Sequence, residues 1–394
     1  MHYEEPTGLP EPDSDSAAHS RRVSEYIADR IEASGGSISF AEFMQHALYA
    51  PGLGYYTAGS VKFGEAGDFV TAPEISPVFG RVLARQCADV LDSIANAEIL
   101  EFGAGSGKLA VDVLSKLEEL GSLPGRYRIL EVSADLQDRQ RSLIESRLPG
   151  LTGLVEWITE LPSSFDGVVF ANEVLDAMPV ERFQRTDNAI LQQRVALESG
   201  SFRFTCEQAP DLLADVVLAI EQDLGRQLQP GYVSEVSLAT GAWIADVGAM
   251  LGQGCIFLFD YGCSRREYFA EDRSAGWLRC HFRHRAHDNP LVLAGIQDIT
   301  AWVDFSAVAD AAVHSKLEIA GYLPQSMFLL GGGLEQELAS FDVLAVEQQL
   351  ALSGQIKTLT LPGEMGENVK CMALRRGATE TPTAFRLGDR THTL

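Results

Sequence analysis

Apolar positions at helical spacing organise the first part of the chain. Residues 23–31 carry an apolar stripe that predicts one helix. Ser39-Phe40-Ala41-Glu42 has the form of a capping box and predicts the start of a second helix, which Pro51-Gly52 ends. A third stripe, at residues 78–94, predicts a longer helix. Between them, residues 51–77 are rich in glycine, proline and aromatic side chains, a composition typical of a functional lid.

Farther along the chain, short apolar runs alternate with helical stripes. The runs that predict strands are residues 99–102, 127–132, 155–158, 167–171, 255–259 and 369–374. The stripe at residues 109–120, closed by Gly121, predicts the helix after the first strand, and another helix reaches about Leu148. Strands separated by single helices favour a doubly wound α/β fold, in which a parallel sheet carries helices on both faces.

The stretch from residue 180 to residue 254 interrupts this alternation. Within it, residues 193–197 and 202–205 flank Glu198-Ser199-Gly200-Ser201, the pattern of a β-hairpin. We therefore predict three parts: a disordered tail over residues 1–20, a helical cap with a glycine-rich lid over residues 21–95, and a doubly wound core over residues 96–394 with an inserted segment at about residues 180–254.

The most informative motif is a glycine-rich turn after the first core strand. A dinucleotide-binding turn needs its third glycine at position 108, which holds Lys108, and a phosphate-binding P-loop needs Ser or Thr where Leu109 stands. The remaining pattern, Glu101-Phe102-Gly103-Ala104-Gly105-Ser106-Gly107, suits an adenosyl cofactor without a pyrophosphate. Its glycines let the backbone approach the ligand, and Glu101 either anchors the turn or meets the ligand's ammonium group.

Polar or aromatic side chains follow the next three strands. Glu131 stands where an acidic side chain accepts both ribose hydroxyls, and Asn172 ends the fourth strand. Trp157, in the third strand, either flanks adenine or packs in the core. The residues that we predict to bind the cofactor, S-adenosyl-L-methionine, are Glu101, Gly103, Ala104, Gly105, Gly107, Glu131, Trp157 and Asn172.

The charge balance limits the kinds of partner that the protein can bind, and the cysteines bear on its compartment. Fifty-five acidic against 31 basic residues give a net charge of −24, which repels a phosphate backbone, so we expect no nucleic-acid substrate. No apolar run is long enough to span a membrane, and the first residues have no basic patch followed by an apolar run, so we expect neither a spanning helix nor a secretory signal. The six cysteines lie far apart, which indicates reduced thiols and, by default, the cytoplasm.

Several longer motifs resemble the MidA-type methyltransferases. These motifs are Gly54-Tyr55-Tyr56, the run from Gly67 to Ser76, the glycine-rich turn, the run from Asn172 to Val180, Asp260-Tyr261-Gly262, His284-Arg285-Ala286-His287, Gln297-Asp298-Ile299-Thr300, Val303-Asp304-Phe305 and Pro362-Gly363-Glu364-Met365-Gly366. The resemblance covers about residues 37–376 and implies a class I methyltransferase fold that uses S-adenosyl-L-methionine. For the mitochondrial members it implies symmetric methylation of an arginine in a respiratory-complex subunit, which makes such a subunit a candidate protein partner here.

The chain departs from the family pattern at two positions. Trp302 stands where the family usually has His, and Ile296 replaces the usual acidic residue. If that His moves a proton in the family, this protein performs the step differently or has another acceptor.

Methyl transfer to a guanidinium requires alignment of acceptor, methyl and sulfur, and a carboxylate to hold the acceptor. Glu173 and Asp176 lie three positions apart, so a helical turn there would place both on one face. Glu74 and Asp260 would complete an acidic pocket. We predict Glu173, Asp176, Glu74 and Asp260 as catalytic, with helix caps or turn positions as the alternative roles for the last three.

A second constellation, His281, His284 and His287, has the spacing of metal ligands. Arginines 279, 283 and 285 interleave with it and disfavour a bound cation, so we expect no metal. The sequence as a whole predicts a protein-arginine methyltransferase. A methyltransferase for a small molecule or another side chain, and a non-catalytic assembly factor that keeps the cofactor fold, are the alternatives.

Overall fold

The computed structural model describes residues 8–58, 70–377 and 380–394. The chain divides into two compact units. The first, here called the cap unit, comprises Met1–Phe69, Asp176–Gly241 and Ser264–Asp304, and the second, the core unit, comprises Val70–Leu175, Ala242–Cys263 and Phe305–Leu394. The glycines at 59, 64 and 67 and the aromatic residues at 63 and 69 of the predicted lid lie outside the described residues.

The helices, in chain order, are α1 (Ser14–Ala33), α2 (Phe40–Tyr49), α3 (Ala72–Ile75), α4 (Pro77–Leu91), α5 (Lys108–Leu120), α6 (Ala134–Arg147), α7 (Asp211–Leu224), α8 (Leu238–Met250), α9 (Arg265–Tyr268), α10 (Phe305–His314), α11 (Gln325–Gly331), α12 (Leu334–Glu337), α13 (Val346–Thr360) and α14 (Met365–Asn368). Within the described part of the chain, no helix is both long and apolar enough to cross a membrane.

The strands are β1 (Ser37–Ser39), β2 (Glu98–Phe102), β3 (Tyr127–Leu130), β4 (Val155–Ile158), β5 (Phe165–Asn172), β6 (Glu181–Arg185), β7 (Ile190–Glu198), β8 (Ser201–Gln208), β9 (Val233–Val236), β10 (Leu251–Cys263), β11 (Leu278–Phe282), β12 (Arg285–His287), β13 (Asp298–Ala301), β14 (Val303–Asp304), β15 (Glu318–Pro324) and β16 (Val369–Arg376). All six strands predicted from apolar runs are present.

The core unit is built on one mixed sheet in the order β15-β16-β10-β5-β2-β3-β4. The strands from β10 to β4 are parallel, whereas β16 runs antiparallel to both β10 and β15. This arrangement confirms the class I methyltransferase fold. It corrects the prediction of an all-parallel sheet, because strand β15 was missed and the apolar run that predicts β16 carries no information about strand direction.

Buried apolar side chains of α4 and α5 form one cluster with those of the sheet in the core unit. Ile99, Val168 and Phe257 of neighbouring strands are fully buried, and Val113 of α5 packs in the same cluster. Helix α4 joins this layer by approaching α5 closely, since a Cβ on Gly80 would lie 2.7 Å from the Asp112 Cβ. The apolar stripes seen in the sequence are therefore the buried faces of α4 and α5.

The cap unit contains an antiparallel sheet in the order β1-β7-β6-β9, with β8 paired to β7. Its β7–β8 hairpin turns at Ser199 and Gly200, which both have positive φ, as the sequence predicts. The capping box is confirmed: the Ser39 hydroxyl accepts from the Glu42 amide, and the Glu42 carboxylate accepts from the Ser39 amide. The predicted stripe of α1, including Val23 and Ile27, is buried.

The structure differs from the predicted division of the chain. Helix α1 begins at Ser14, where the Asp13 carboxylate caps it, so the predicted disordered tail is wrong for residues 14–20. Helices α3 and α4, assigned to the cap by their position in the chain, belong to the core unit, and residues 264–304 join the cap unit. A division by contiguous sequence misses these exchanges because the chain passes repeatedly from one unit to the other.

Candidate cofactor and acceptor site

The glycine-rich turn connects β2 to α5. Gly103, Gly105 and Gly107 have φ angles of 60°, 53° and 85°, the left-handed region that favours glycine. The Gly107 amide donates to the Ala104 carbonyl oxygen at 2.8 Å, and Gly107 is the N-cap of α5. The turn therefore meets the first amides of a helix, where an anionic group such as a carboxylate binds well. This geometry fits an amino-acid-bearing cofactor.

Glu101 lies beneath this turn and is buried. Its Oε2 accepts a hydrogen bond from the Tyr127 hydroxyl at 2.5 Å. The pKa of Glu101 is raised to about 8: burial is the largest cause, the Tyr127 hydrogen bond opposes the shift, and the nearby Glu131 carboxylate adds to it. Of the two predicted roles, the structure shows the anchor between strands; a contact with the cofactor stays a prediction.

This raised pKa makes stability depend on pH. Between the unfolded pKa of 4.5 and about 8, the folded protein holds a proton on Glu101 that the unfolded chain has released, so stability falls as pH rises through this range. Glu101→Gln keeps an acceptor for Tyr127 and removes the linkage. Unfolding in urea is expected to show the variant gaining roughly 3–5 kcal/mol relative to the parent between pH 5 and pH 8.

The control for this prediction is Glu98→Gln, on the same strand but with a partly exposed carboxylate that pairs with Arg128. Its stability is expected to follow the parent's from pH 5 to pH 8. Parallel curves for Glu101→Gln and the parent would contradict the buried, protonated state of Glu101.

The carboxylate predicted to accept the ribose hydroxyls is held in a fixed orientation. Glu131 is almost buried at the end of β3. Its Oε1 accepts from the Ser133 amide at 2.9 Å, and its Oε2 accepts from Gln140 Nε2 at 3.2 Å. Val132, the next residue, exposes 65% of its surface and offers an apolar face beside this carboxylate.

One residue missed by the sequence analysis connects the predicted cofactor residues. Gln140 of α6 is fully buried, and its Nε2 also donates to the Gly105 carbonyl oxygen at 3.0 Å. Its Oε1 accepts from Trp157 Nε1 at 2.9 Å. One amide thus joins the glycine-rich turn, Glu131 and Trp157. Helix α6 is polar on most of its surface, so no pattern in the sequence marks this glutamine.

The candidate acceptor residue Glu173 follows β5 and has a φ of 51°, which side chains other than glycine rarely adopt. Its amide donates to the Phe259 carbonyl oxygen at 2.8 Å. Its Oε1 accepts from Asn172 Nδ2 at 3.3 Å and from the Ala72 amide at 3.4 Å. Backbone strain of this kind costs about 1–3 kcal/mol and concentrates at functional sites.

Asp260 holds the segment that carries this strain. It is buried in the last part of β10, and its Oδ2 accepts from the amides of Val174 at 3.2 Å and Leu175 at 2.8 Å. The same segment lies against the glycine-rich turn, since a Cβ on Gly103 would lie 3.4 Å from Val174 Cγ2. The structure therefore places Glu173 beside the turn and gives Asp260 a turn-holding contact; contact of Asp260 with a substrate stays a prediction.

The remaining two candidate carboxylates have different surroundings. Glu74 accepts from the Ser106 hydroxyl and pairs with Lys108 Nζ at 3.0 Å, on the glycine-rich turn and the first residue of α5. Asp176 belongs to the cap unit, where its carbonyl oxygen accepts from the Ala301 amide. The helical turn that would place Glu173 and Asp176 on one face does not form, so that part of the prediction is wrong.

Among the described residues, no group of His, Cys, Asp and Glu is arranged to hold a metal ion. His281 lies on β11 and His287 on β12, and the hairpin between these strands turns at Arg283 and His284, both with positive φ. The three histidines therefore lie on three successive parts of one hairpin: His281 on the first strand, His284 in the turn and His287 on the second strand.

Curated relatives carry one consistent name. The chain is 30% identical to the mitochondrial protein arginine methyltransferase NDUFAF7 of Mus musculus, over 86% of this chain and 81% of the relative. It is 28% identical to the Danio rerio protein of the same name, over 89% of this chain and 86% of the relative.

These names overturn one expectation. Scattered, reduced cysteines led us to expect the cytoplasm, whereas the relatives are all named mitochondrial, so the cytoplasmic prediction is wrong. The reason is that reduced thiols separate reducing from oxidising compartments but do not separate one reducing compartment from another.

A solved structure matches the fold over nearly the whole chain. A Burkholderia thailandensis protein bound to S-adenosyl-homocysteine matches this chain with a TM-score of 0.93 and 40% identity, over 98% of this chain and 100% of the other. A family model described as S-adenosyl-L-methionine-dependent methyltransferase matches residues 82–323. With the glycine-rich turn and the class I strand order in place, the chain belongs to this family of S-adenosyl-L-methionine-dependent methyltransferases.

Proposed function

We propose that this methyltransferase transfers a methyl group to an arginine side chain of a protein. The observation that carries the proposal is the position of Glu173, a carboxylate on a strained backbone next to Val174, whose side chain meets the cofactor turn at Gly103. A carboxylate pairs bidentately with a guanidinium, and the curated relatives are named protein arginine methyltransferases.

The cofactor-binding part of the mechanism uses residues of the core unit. The glycine-rich turn and the start of α5 receive the amino-acid portion, Glu131 accepts from the ribose hydroxyls, and Val132 and Trp157 offer apolar surface to the adenine. When bound, the cofactor supplies a methyl group activated by a sulfonium. Gln140 keeps these parts in register through its hydrogen bonds to the turn, Glu131 and Trp157.

The acceptor part depends on Glu173. Its carboxylate binds one edge of the guanidinium, concentrates the positive charge there, and leaves another nitrogen directed toward the methyl group. The new N–C bond forms as the S–C bond breaks, the electron pair of that bond stays on sulfur, and the proton of the methylated nitrogen passes to solvent. Asp260 keeps Glu173 in position through the Val174 and Leu175 amides.

Residue 302 does not take part in this proton transfer. Trp302 has no group that accepts a proton at neutral pH, and its ring stacks on Trp277 with centroids 4.2 Å apart. The family's usual His at this position is thus replaced by an aromatic packing residue, and in this protein the proton leaves by a route that does not involve a side chain at 302.

The test is to incubate the purified protein with isotope-labelled S-adenosyl-L-methionine and proteins of its own host, then identify the labelled residue by mass spectrometry. We expect label on arginine nitrogen in the parent and in the Glu118→Gln control, whose carboxylate is exposed on α5, and none with Glu173→Gln. Label on another side chain or on small molecules would overturn the proposal. Specific binding of a protein without transfer would favour an assembly factor.

The same experiment tests a finer proposal, that the substrate is a subunit of a respiratory complex. The resemblance to the mitochondrial members supports it, and the acidic surface of the chain, with a net charge of −24, suits an arginine-rich target. The labelled protein is expected in a fraction of purified respiratory complexes. Arginine label confined to proteins outside those complexes would contradict it.

A further inference from the structure

Helix α3 is a short element between the cofactor turn and the acceptor carboxylate. It packs against α4, α5 and α13, and its first two residues, Ala72 and Pro73, are buried. Pro73 restricts the backbone of the first turn, and Pro77 begins α4 directly afterwards. These contacts and the two prolines restrict the conformations available to this four-residue element.

One side of α3 is attached to the cofactor turn. The Glu74 carboxylate accepts from the Ser106 hydroxyl inside the glycine-rich turn. It also pairs with Lys108 Nζ at 3.0 Å, and the same ammonium donates to the Glu74 carbonyl oxygen at 3.2 Å. The Glu74 side chain is largely buried and Lys108 is about half exposed, so both hydrogen bonds and charge hold the contact.

The other side of α3 touches the acceptor carboxylate. The Ala72 amide donates to Glu173 Oε1 at 3.4 Å, two residues before Glu74 in the chain. Displacing α3 from the turn would therefore move an amide that orients Glu173. Through this element, the glycine-rich turn and Glu173 are connected by hydrogen bonds within the core unit.

We propose that Glu74 is a positioning residue. Its contacts with Ser106 and Lys108, here called the clasp, set the orientation of Glu173 through the Ala72 amide. The inference rests on the proposed function, because it takes Glu173 to be the residue that binds the methyl acceptor. It differs from the sequence-based prediction that Glu74 itself lines the acceptor pocket. The Lys108 ammonium already neutralises the Glu74 charge, so a guanidinium that bound Glu74 would first have to displace this ammonium.

The two roles predict opposite effects of Lys108→Met. If Glu74 binds the acceptor, the substitution releases a carboxylate, and the KM for the acceptor falls. If Glu74 is half of a clasp, Lys108→Met and Glu74→Ala each lower kcat, and the double variant is little worse than either single variant. A double-mutant cycle of the parent, the two single variants and the double variant measures this coupling directly.

The experiment measures kcat and both KM values for the parent, Glu74→Ala, Lys108→Met and the double variant. We expect each single variant to lose about tenfold in kcat, with the acceptor KM changed less than about threefold, and the double variant to lose little more. Glu74→Gln, which still accepts from Ser106, restores part of the kcat. The control is Glu318→Gln, which breaks a surface pair between Glu318 of β15 and Arg375 of β16 and behaves as the parent.

Salt adds a readout that general destabilisation does not give. Because Lys108 is half exposed, added salt weakens the clasp, so parental kcat falls between low and high ionic strength while Lys108→Met is insensitive. The proposal would be overturned if the kcat losses of the two single variants multiplied in the double variant, or if Lys108→Met had a lower KM for the acceptor.

The outcome stays separable from that of the proposed function. The chemical identity of the labelled residue decides the proposed function, whereas the cycle decides the clasp with whichever acceptor is methylated. If no acceptor turns over, the same four proteins are titrated with S-adenosyl-homocysteine. The clasp then predicts weaker binding by about fivefold in both single variants, without further loss in the double variant, and unchanged affinity overturns it.

Discussion

Replacing Gly107 by alanine is expected to weaken binding of S-adenosyl-homocysteine by about 30-fold or more. The residue has a φ of 85°, so an alanine there costs about 1–2 kcal/mol of backbone strain. The new Cβ would also lie 3.2 Å from the Gln140 Cα, a backbone atom that cannot rotate away. Gln140 holds both the Gly105 carbonyl and Glu131, so its displacement disturbs two parts of the cofactor site. Titration calorimetry measures the affinity.

Gly121 provides a matched control at the opposite end of the same helix. It has a φ of 75°, and a Cβ there would meet nothing within 4 Å. Gly121→Ala should therefore destabilise the protein by a similar backbone strain while leaving cofactor affinity unchanged. Equal losses of affinity in the two variants would show that Gly107 acts only through folding stability, contrary to its assignment to the site.

Glu173→Gln is expected to lower kcat by roughly 100-fold while cofactor affinity stays within about twofold of the parent. Glutamine is nearly the same size but has no charge to pair with a guanidinium, so the loss falls on the chemical step. Steady-state kinetics together with calorimetry separate the two effects. A variant that loses cofactor affinity and keeps its kcat would place Glu173 in the cofactor site instead.

Glu173→Gly tests whether the strained backbone serves function. Glycine adopts a φ of 51° without strain, so the variant should be as stable as the parent or more stable, by up to about 1 kcal/mol, and inactive. A loss of more than about 1 kcal/mol in urea unfolding would mean that the Glu173 side chain stabilises the fold.

The sequence predicts the elements of this site better than their partners. The left-handed turn at Gly103 to Gly107 could be recognised because glycine spacing after a strand is a local property. Glu131 and Asn172 could be placed because parallel strands end at one edge of a sheet. The hydrogen-bond partners of Glu131 and Glu173 could not be predicted, because Gln140 of α6 and Ala72 of α3 lie on other elements and only tertiary packing brings them to these carboxylates.

The same distinction explains the errors in the fold. Strand β15 begins at Glu318, contains Gly321 and ends at Pro324, so it forms no continuous apolar run like the buried parallel strands. Strand β16 has the pattern of an ordinary apolar run, although its direction is reversed. Helix α4 has a strong apolar stripe, which indicates burial but not against which unit; its close approach at Gly80 to Asp112 of α5 decides that. Periodicity predicts which face of an element is buried, whereas the neighbouring element depends on the whole topology.

The most direct test of the account is a crystal structure of the protein with S-adenosyl-homocysteine. We expect the homocysteine portion along the glycine-rich turn and the ribose hydroxyls donating to Glu131, with the Gln140 hydrogen bonds of Glu131 and Gly105 retained. The sulfur should lie on the side of the turn where Glu173 stands. A ligand bound at another edge of the sheet, or a sulfur remote from Glu173, would contradict the assignment of both the cofactor turn and the acceptor carboxylate.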